Sequence, residues 1–285
     1  MTVSDPHWIQ GQPQTLLLAT DLTARCDRAH GRAIHLARRW NAELILLHVL
    51  EGKAATSRKV DEEAIREQMS AEMPCEEIRS RFVIARGAAA ETILEKAGEF
   101  QADLIITGVA RYNALGDFIL GTTVDRVVRQ APVPVLVVKR RPHAMYEAIA
   151  VGIDFSPCSR YALEAAATLF PANTLDVVHA YHVPFEGFIG KGEAGQESRQ
   201  GVQKDLDAFL AETRLRPDQR RNLNLILDYG QVTEVVVRHA RERELSLVVL
   251  GTRGRAGLSY ALLGSAAEAL LSALPCDVLL VRPPG

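Results

Sequence analysis

No apolar run in the 285 residues reaches the about 20 that a membrane-crossing helix needs. The first fourteen residues, Met1 to Gln14, are polar and lack the apolar core of a secretory signal, so the expected location is the cytoplasm. Cysteine is scarce. Cys26, Cys75, Cys158 and Cys276 show no CxxC spacing and read as free thiols of a reducing compartment. Charge of one sign is also missing. With a net charge of -2 and a pI of about 6.5, the chain lacks the basic footprint of a nucleic-acid binder, and its arginine pairs are short and scattered. Four catalytic or phosphate signatures are absent: GxGxxG after the first strand, GxxxxGK[ST], HExxH and GxSxG. These absences argue against membrane, nucleic-acid, dinucleotide, P-loop, zinc-protease and serine-hydrolase readings.

What is present is a duplication. Gly87 and Gly230, Gly108 and Gly251, Gly121 and Gly264, and Pro132 and Pro275 are all 143 residues apart. Asp21 and Asp154 are 133 apart and His48 and His179 are 131 apart, so the second copy gains twelve residues between its second and third strands. That insertion contains Gly187 to Gly192, which reads as a loop before a helix near Val202 to Glu212. Arg140 to Tyr146, with Pro142 in it, fits a linker.

Each copy alternates short continuous apolar runs with helical stretches. The strands of copy one are expected at Thr15 to Thr20, Leu44 to His48, Arg81 to Ala85, Leu104 to Thr107 and Val135 to Val138. Those of copy two are expected at Ala148 to Ile153, Leu175 to His179, Leu223 to Leu227, Leu247 to Leu250 and Val278 to Val281. Runs of this kind suit parallel strands buried on both faces. Helices between them make parallel crossovers the default. The predicted fold is α/β: two tandem doubly wound domains with five-stranded parallel sheets, at residues 1–140 and 144–285.

In an open parallel sheet, ligands sit beyond the carboxyl ends of the strands. Asp154 leaves strand one of copy two there, Ala180 leaves strand two, and Gly251 leaves strand four. Gly251-Thr252-Arg253-Gly254, then nine residues, then Gly264-Ser265 form a phosphate-cradle pattern. Glycine backbone allows close approach, and free N–H groups at a helix start bind anions. Ser265 adds a hydroxyl, and Arg253 and Arg255 either neutralise the anion or face solvent. Asp154 either accepts from an adenine amino or ribose hydroxyl, or caps the next helix. The glycines serve tight turns equally well without a ligand. Copy one has Arg111 where copy two has Gly254, so it reads as chiefly structural. His48 and His179 occupy matched strand positions, which favours a shared packing or hydrogen-bonding role over metal. Asp228 and Glu234 lie near the same rim with no assigned partner.

The sequence resembles tandem universal stress proteins over nearly its whole length. The family motif G-2x-G-9x-G-[ST] is matched by Gly251, Gly254, Gly264 and Ser265. Asp154 resembles the family's adenosine-contacting aspartate, Ala180 the small residue beside adenine, and Ala266 a further backbone contact. The resemblance implies an adenine nucleotide α-hydrolase-like fold, strand order 3-2-1-4-5, and ATP or another adenine nucleotide as ligand, with Mg as an optional companion. It implies a role in stress response, exercised through a protein partner not yet identified, and pairing of the two final strands, Val133 to Val138 with Pro275 to Val281. A homodimer is consistent with it. The alternatives are a non-nucleotide interaction module and a weak ATPase.

Overall fold

The computed structural model describes residues 11–57, 60–71, 73, 78–109, 111–112, 118–119, 121–181, 193–252 and 263–283. They form two compact units. One is the chain up to Tyr146 together with Pro275–Leu280; the other is Glu147–Leu274 with Val281–Pro283.

The first unit contains β1 (Thr15–Thr20), α1 (Asp27–Trp40), β2 (Glu43–Leu50), α2 (Gly52–Thr56), α3 (Glu62–Ala71), β3 (Ser80–Arg86), α4 (Ala89–Glu99) and β4 (Leu104–Thr107). A two-stranded hairpin of β5 (Arg111–Tyr112) and β6 (Phe118–Ile119) follows, then α5 (Thr122–Gln130) and β7 (Val135–Val137). The parallel pairings β3–β2, β2–β1, β1–β4 and β4–β7 give the predicted order 3-2-1-4-5. Leu16, Leu17 and Leu18 are all fully buried. Three consecutive buried side chains need cover on both faces, which is why the strand reads as a run rather than an alternation. Helix α1 turns Ala29, Ala33, Leu36, Ala37 and Trp40 inward and ends at Asn41, in the left-handed conformation with φ 52°.

The second unit repeats the plan with β8 (Ile149–Gly152), α6 (Pro157–Leu169), β9 (Leu175–Tyr181), α7 (Glu193–Glu212), α8 (Pro217–Arg221), β10 (Leu223–Tyr229), α9 (Val232–Glu242), β11 (Leu247–Gly251) and α10 (Ser265–Ala273). Its parallel order is β10-β9-β8-β11. The matched glycines Gly87 and Gly230 share φ values of 147° and 136°. Their amides donate to the last carbonyls of equivalent strands, Leu50 O and Tyr181 O. Both are turn residues whose conformation an L side chain rarely adopts.

The last strand, β12 (Asp277–Val281), runs antiparallel to β7, with Val278 opposite Val137 and Leu280 opposite Val135. The final strands of the two copies therefore pair, as the resemblance implied. Residues 275–280 count with the first compact unit although they come last in the sequence.

Asp277 fastens this strand. Its side chain is fully buried. Oδ1 accepts from the Lys139 and Arg140 amides at 2.8 and 2.9 Å, and Oδ2 from the Tyr146 hydroxyl at 2.6 Å. Arg32 Nε lies 3.4 Å from Oδ2, and its guanidinium sits 3.9 Å above the Tyr146 ring. Arg32 also donates to Ala144 O, and Arg28 to Lys139 O. The segment read as a linker is thus pinned by hydrogen bonds. Burial, aided by the Asp277 carboxylate, pushes the Tyr146 phenol well above its usual range.

Lys139 is also fully buried, and burial holds its amine down at about 8, against Cys276 and Asp277, which act to raise it. An unfolded lysine titrates near 10.4, so between about pH 8 and 10.4 the unfolded state binds more protons and rising pH favours folding. The native charge penalty is fully present below about pH 8 and relieved above it. Lys139→Met should therefore gain stability over wild type at neutral pH. That gain should shrink by about 2 kcal/mol between pH 7.5 and 9.5. Urea unfolding of both proteins across that range checks it, since the other titrating groups cancel in the difference.

Candidate functional site

The turn after the first strand is built the same way in both units. Leu22 and Phe155 follow Asp21 and Asp154, and both have positive φ, 57° and 61°. The Thr23 and Ser156 amides donate to the preceding aspartates at 2.9 and 3.1 Å. The Asp21 amide donates to Cys26 Sγ and the Asp154 amide to Ser159 Oγ. Cys26 thus corresponds to Ser159, while Cys158 corresponds to Arg25; the two thiols are neighbours in the plan but not equivalents.

These bonds decide one of the alternatives left open by the sequence. The N-cap of α6 is Ser156, whose hydroxyl accepts from the Ser159 amide at 3.1 Å. Asp154 stands two residues earlier and receives Ser156 N–H, a local turn rather than the helix cap. Ser156 and Pro157, a cap followed by proline at the first helical position, were the available sequence signal.

In the first unit the equivalent carboxylate takes several donors from its own turn. Asp21 Oδ1 accepts from the Thr23 amide, the Thr23 hydroxyl at 2.7 Å and the Cys26 thiol at 3.1 Å. Burial acts to raise the Asp21 carboxyl, but these hydrogen bonds outweigh it and leave it below its ordinary range. The same burial pushes the Cys26 thiol up to about 11.

The histidines have the shared role that their matched positions suggested. His48 Nδ1 lies 3.1 Å from Thr20 O and His179 Nδ1 lies 2.9 Å from Ile153 O. A carbonyl only accepts, so Nδ1 carries the proton in both. Each bond ties the end of strand two to the end of strand one. His179 also stacks on Phe155, with ring centroids 4.1 Å apart. His182 lies outside the described residues. Among the described residues no group of three or more His, Cys, Asp or Glu is arranged to hold a metal.

Strand register brings several of the named residues to one rim. Gly152 is paired with Val178 on one side and Leu250 on the other. Asp154 lies two residues past the end of β8 and Gly251 is the last residue of β11, but Ala180 does not leave its strand as expected: β9 runs on to Tyr181 because β10 pairs with it that far, with Ala180 opposite Asp228. Gly264 closes the loop back by donating its amide to Thr252 O at 2.8 Å. Thr252 is buried, and its hydroxyl has no hydrogen-bond partner among the described residues. Gly264 is the N-cap of α10, without a side-chain cap, and Ser265 and Ala266 are exposed. The first amides of a helix lack intrahelical acceptors, so this end can receive an anion. Arg253, Gly254 and Arg255 lie outside the described residues.

Gly251 has a second reason to be glycine. A Cβ there would lie 2.8 Å from the backbone C and O of Cys158. The first turn of α6 crosses directly over it. At Gly108 the nearest backbone atom, Arg25 O, is 3.5 Å away, so the first unit is looser at this point. The counterpart of Gly254, Arg111, has its backbone in the β5–β6 hairpin opposite Ile119, an element the sequence reading did not foresee. No helix among the described residues is long and apolar enough to cross a membrane.

Comparison with known proteins bears on the repeat and the fold. The universal stress protein family model matches residues 13–139 and again 145–282. A universal stress protein of Mycobacterium tuberculosis is 29% identical over 199 residues, covering 67% of this chain and 65% of its own. The chain thus spans a little under two thirds of that relative's length. Universal stress protein A homolog 1 of Coxiella burnetii is 31% identical over 144 residues, 48% of this chain and 96% of its own. Among solved structures, a functionally unknown protein of Pseudomonas aeruginosa aligns over 95% of this chain and 93% of its own, with a TM-score of 0.72 and 22% identity. A universal stress protein from Archaeoglobus fulgidus covers 95% of this chain and 96% of its own at a TM-score of 0.64 and 17% identity. Two matches of the family model account for nearly all of the duplicated sequence, and the chain belongs to the universal stress protein family.

Proposed function

We propose that the chain is a stress-response protein of the cytoplasm that binds ATP or another adenine nucleotide in its second copy, residues 144–285. The first copy, residues 1–140, is chiefly structural. What supports this reading is that Asp154 and Gly251 stand at the ends of the adjacent strands β8 and β11, with Ala180 near the end of β9, and that Gly264, at the uncapped start of α10 before Ser265 and Ala266, bonds back to Thr252. The Asp154 carboxylate would accept from an adenine amino or ribose hydroxyl, and the backbone beside Ala180 would face the base. The α10 amides and the Ser265 hydroxyl would take phosphate oxygens. Arg253 and Gly254 complete the cradle by sequence. Mg would arrive with the phosphates, as this ion usually does. The ligand would act by linkage, favouring one arrangement and so changing which surface a partner protein meets.

A second reading, an interaction module without a nucleotide, is favoured by one observation: packing against Cys158 requires Gly251 without any ligand. Hydrolysis plays no part in the leading proposal. Natively purified protein should carry adenosine, and calorimetry should give one ATP, ADP or AMP per chain. Adenosine-free protein with no binding heat for any of the three would establish the interaction module instead.

A further inference from the structure

Thr252 carries a hydroxyl that the surrounding fold does not use. The residue is 2% exposed, and its Oγ1 has no hydrogen-bond partner among the described residues. Its main chain is committed on both sides. The amide donates to Val281 O at 3.0 Å, and the carbonyl accepts from the Gly264 amide at 2.8 Å. Arg32 Nε and Arg160 Nε are also buried without a hydrogen bond, but their guanidinium groups donate elsewhere, to Ala144 O and to Glu212. A threonine side chain has one polar group and no such alternative. A buried hydroxyl left unpaired is a net cost to folding.

The repeat shows that the turn can be built without this cost. The 143-residue spacing of the matched glycines puts Val109 at the equivalent position of copy one, and Val109 is buried too. Valine and threonine share a shape and differ by a methyl in place of the hydroxyl. The hydroxyl stands in the copy that has Gly254 and is missing from the copy that has Arg111.

We propose that the Thr252 hydroxyl is a positioning donor for a phosphate oxygen of the adenine nucleotide at the start of α10. This rests on the nucleotide reading of the second copy, and it adds a residue that separates phosphorylated ligands from a bare nucleoside. The Gly264 bond holds Thr252 against the N-cap of α10, whose first amides lack intrahelical acceptors. A hydroxyl donating to an anionic oxygen makes a charge-assisted bond. The β-branched side chain has few rotamers and its backbone is held at both ends, so little freedom is lost on binding. Ser265 is exposed, and its hydroxyl must first give up water. Thr252 has no such water to lose and gains more from the same bond.

Calorimetry of the full chain with adenosine, AMP and ATP tests this on wild type, Thr252→Val and Thr252→Ser. Thr252→Val should weaken AMP and ATP binding by about tenfold or more and leave adenosine binding unchanged. Thr252→Ser keeps the hydroxyl and should stay within about threefold of wild type. Without nucleotide, Thr252→Val should unfold at the same urea concentration as wild type or a higher one, because it loses no bond. A structural threonine gives the opposite pattern: an earlier urea transition, and equal losses for adenosine and ATP. That pattern, or unchanged ATP binding in Thr252→Val, would overturn the role of Thr252 and leave the nucleotide reading standing. A wild-type chain that binds none of the three ligands would overturn both.

Discussion

Asp277→Ala should lower the stability of the full chain by about 3–5 kcal/mol, the range for removing one partner of a buried ion pair. The transition that melts the first unit should fall by about 10 °C. The size follows from what is left behind. The Lys139 and Arg140 amides and the Tyr146 hydroxyl lose their acceptor, and Arg32 keeps a buried charge without its carboxylate. Each unsatisfied buried donor costs about 1–3 kcal/mol, partly recovered as the site relaxes. Asp277→Asn keeps the shape and one acceptor for the amides, so it should lose clearly less. Urea unfolding followed by circular dichroism measures both. A loss below about 1 kcal/mol for the alanine variant would show that Pro275–Leu280 is held by strand pairing and apolar packing alone.

Asp277 also shows where the sequence stopped being legible. Strands were readable because runs such as Leu16-Leu17-Leu18 and Leu247-Val248-Val249 have little choice but a doubly covered sheet. Matched glycines carried the repeat because Gly87 and Gly230 answer to a backbone angle, which does not depend on neighbours. Asp277 answers only to partners as far away as Arg32, and no local pattern encodes them. The repeat held a hint, since Asp277 stands where copy one has Pro134. Helix α3 was missed for a different reason: it buries only Met69, so it lacks an apolar stripe. The polar first turns of α7, from Glu193, extended a helix that was placed only from Val202. At the candidate site the residue types were legible, but β9 runs on to Tyr181, past the expected end at His179, because β10 pairs with it that far and keeps Ala180 inside the strand. The division of labour between Asp154 and Ser156 was not legible, because both are good caps and only the hydrogen bonds separate them. Gly251 was legible as a glycine but not as a packing residue, because the helix turn above it is distant in the chain.

Asp154→Ala should weaken adenine-nucleotide binding by about 10- to 100-fold, while Asp21→Ala leaves it nearly unchanged. The magnitude is that of a hydrogen bond to a charged group, about 1.5–3 kcal/mol. The asymmetry follows from the proposed site, which has Gly254 in the second copy and Arg111 in the first. Asp21 Oδ1 already takes three donors from Thr23 and Cys26, and its loss frees groups that are close to solvent. Asp154 follows β8 between β9 and β11, and Gly264 at the uncapped start of α10 bonds back to Thr252 just past β11, so a nucleoside and its phosphates would be received along this edge. Folding should survive in both variants, because the α6 cap is Ser156 and does not depend on Asp154. Calorimetry with ATP, run beside circular dichroism on the same samples, separates lost affinity from lost structure. Ser265→Ala provides a graded control: it removes one hydroxyl but leaves the helix amides, so its effect should be smaller, about threefold. Equal losses for Asp154→Ala and Asp21→Ala would move the ligand out of the second copy. Binding that is unchanged in Asp154→Ala would remove the carboxylate from the site and leave the α10 amides as a general anion acceptor without selectivity for adenosine.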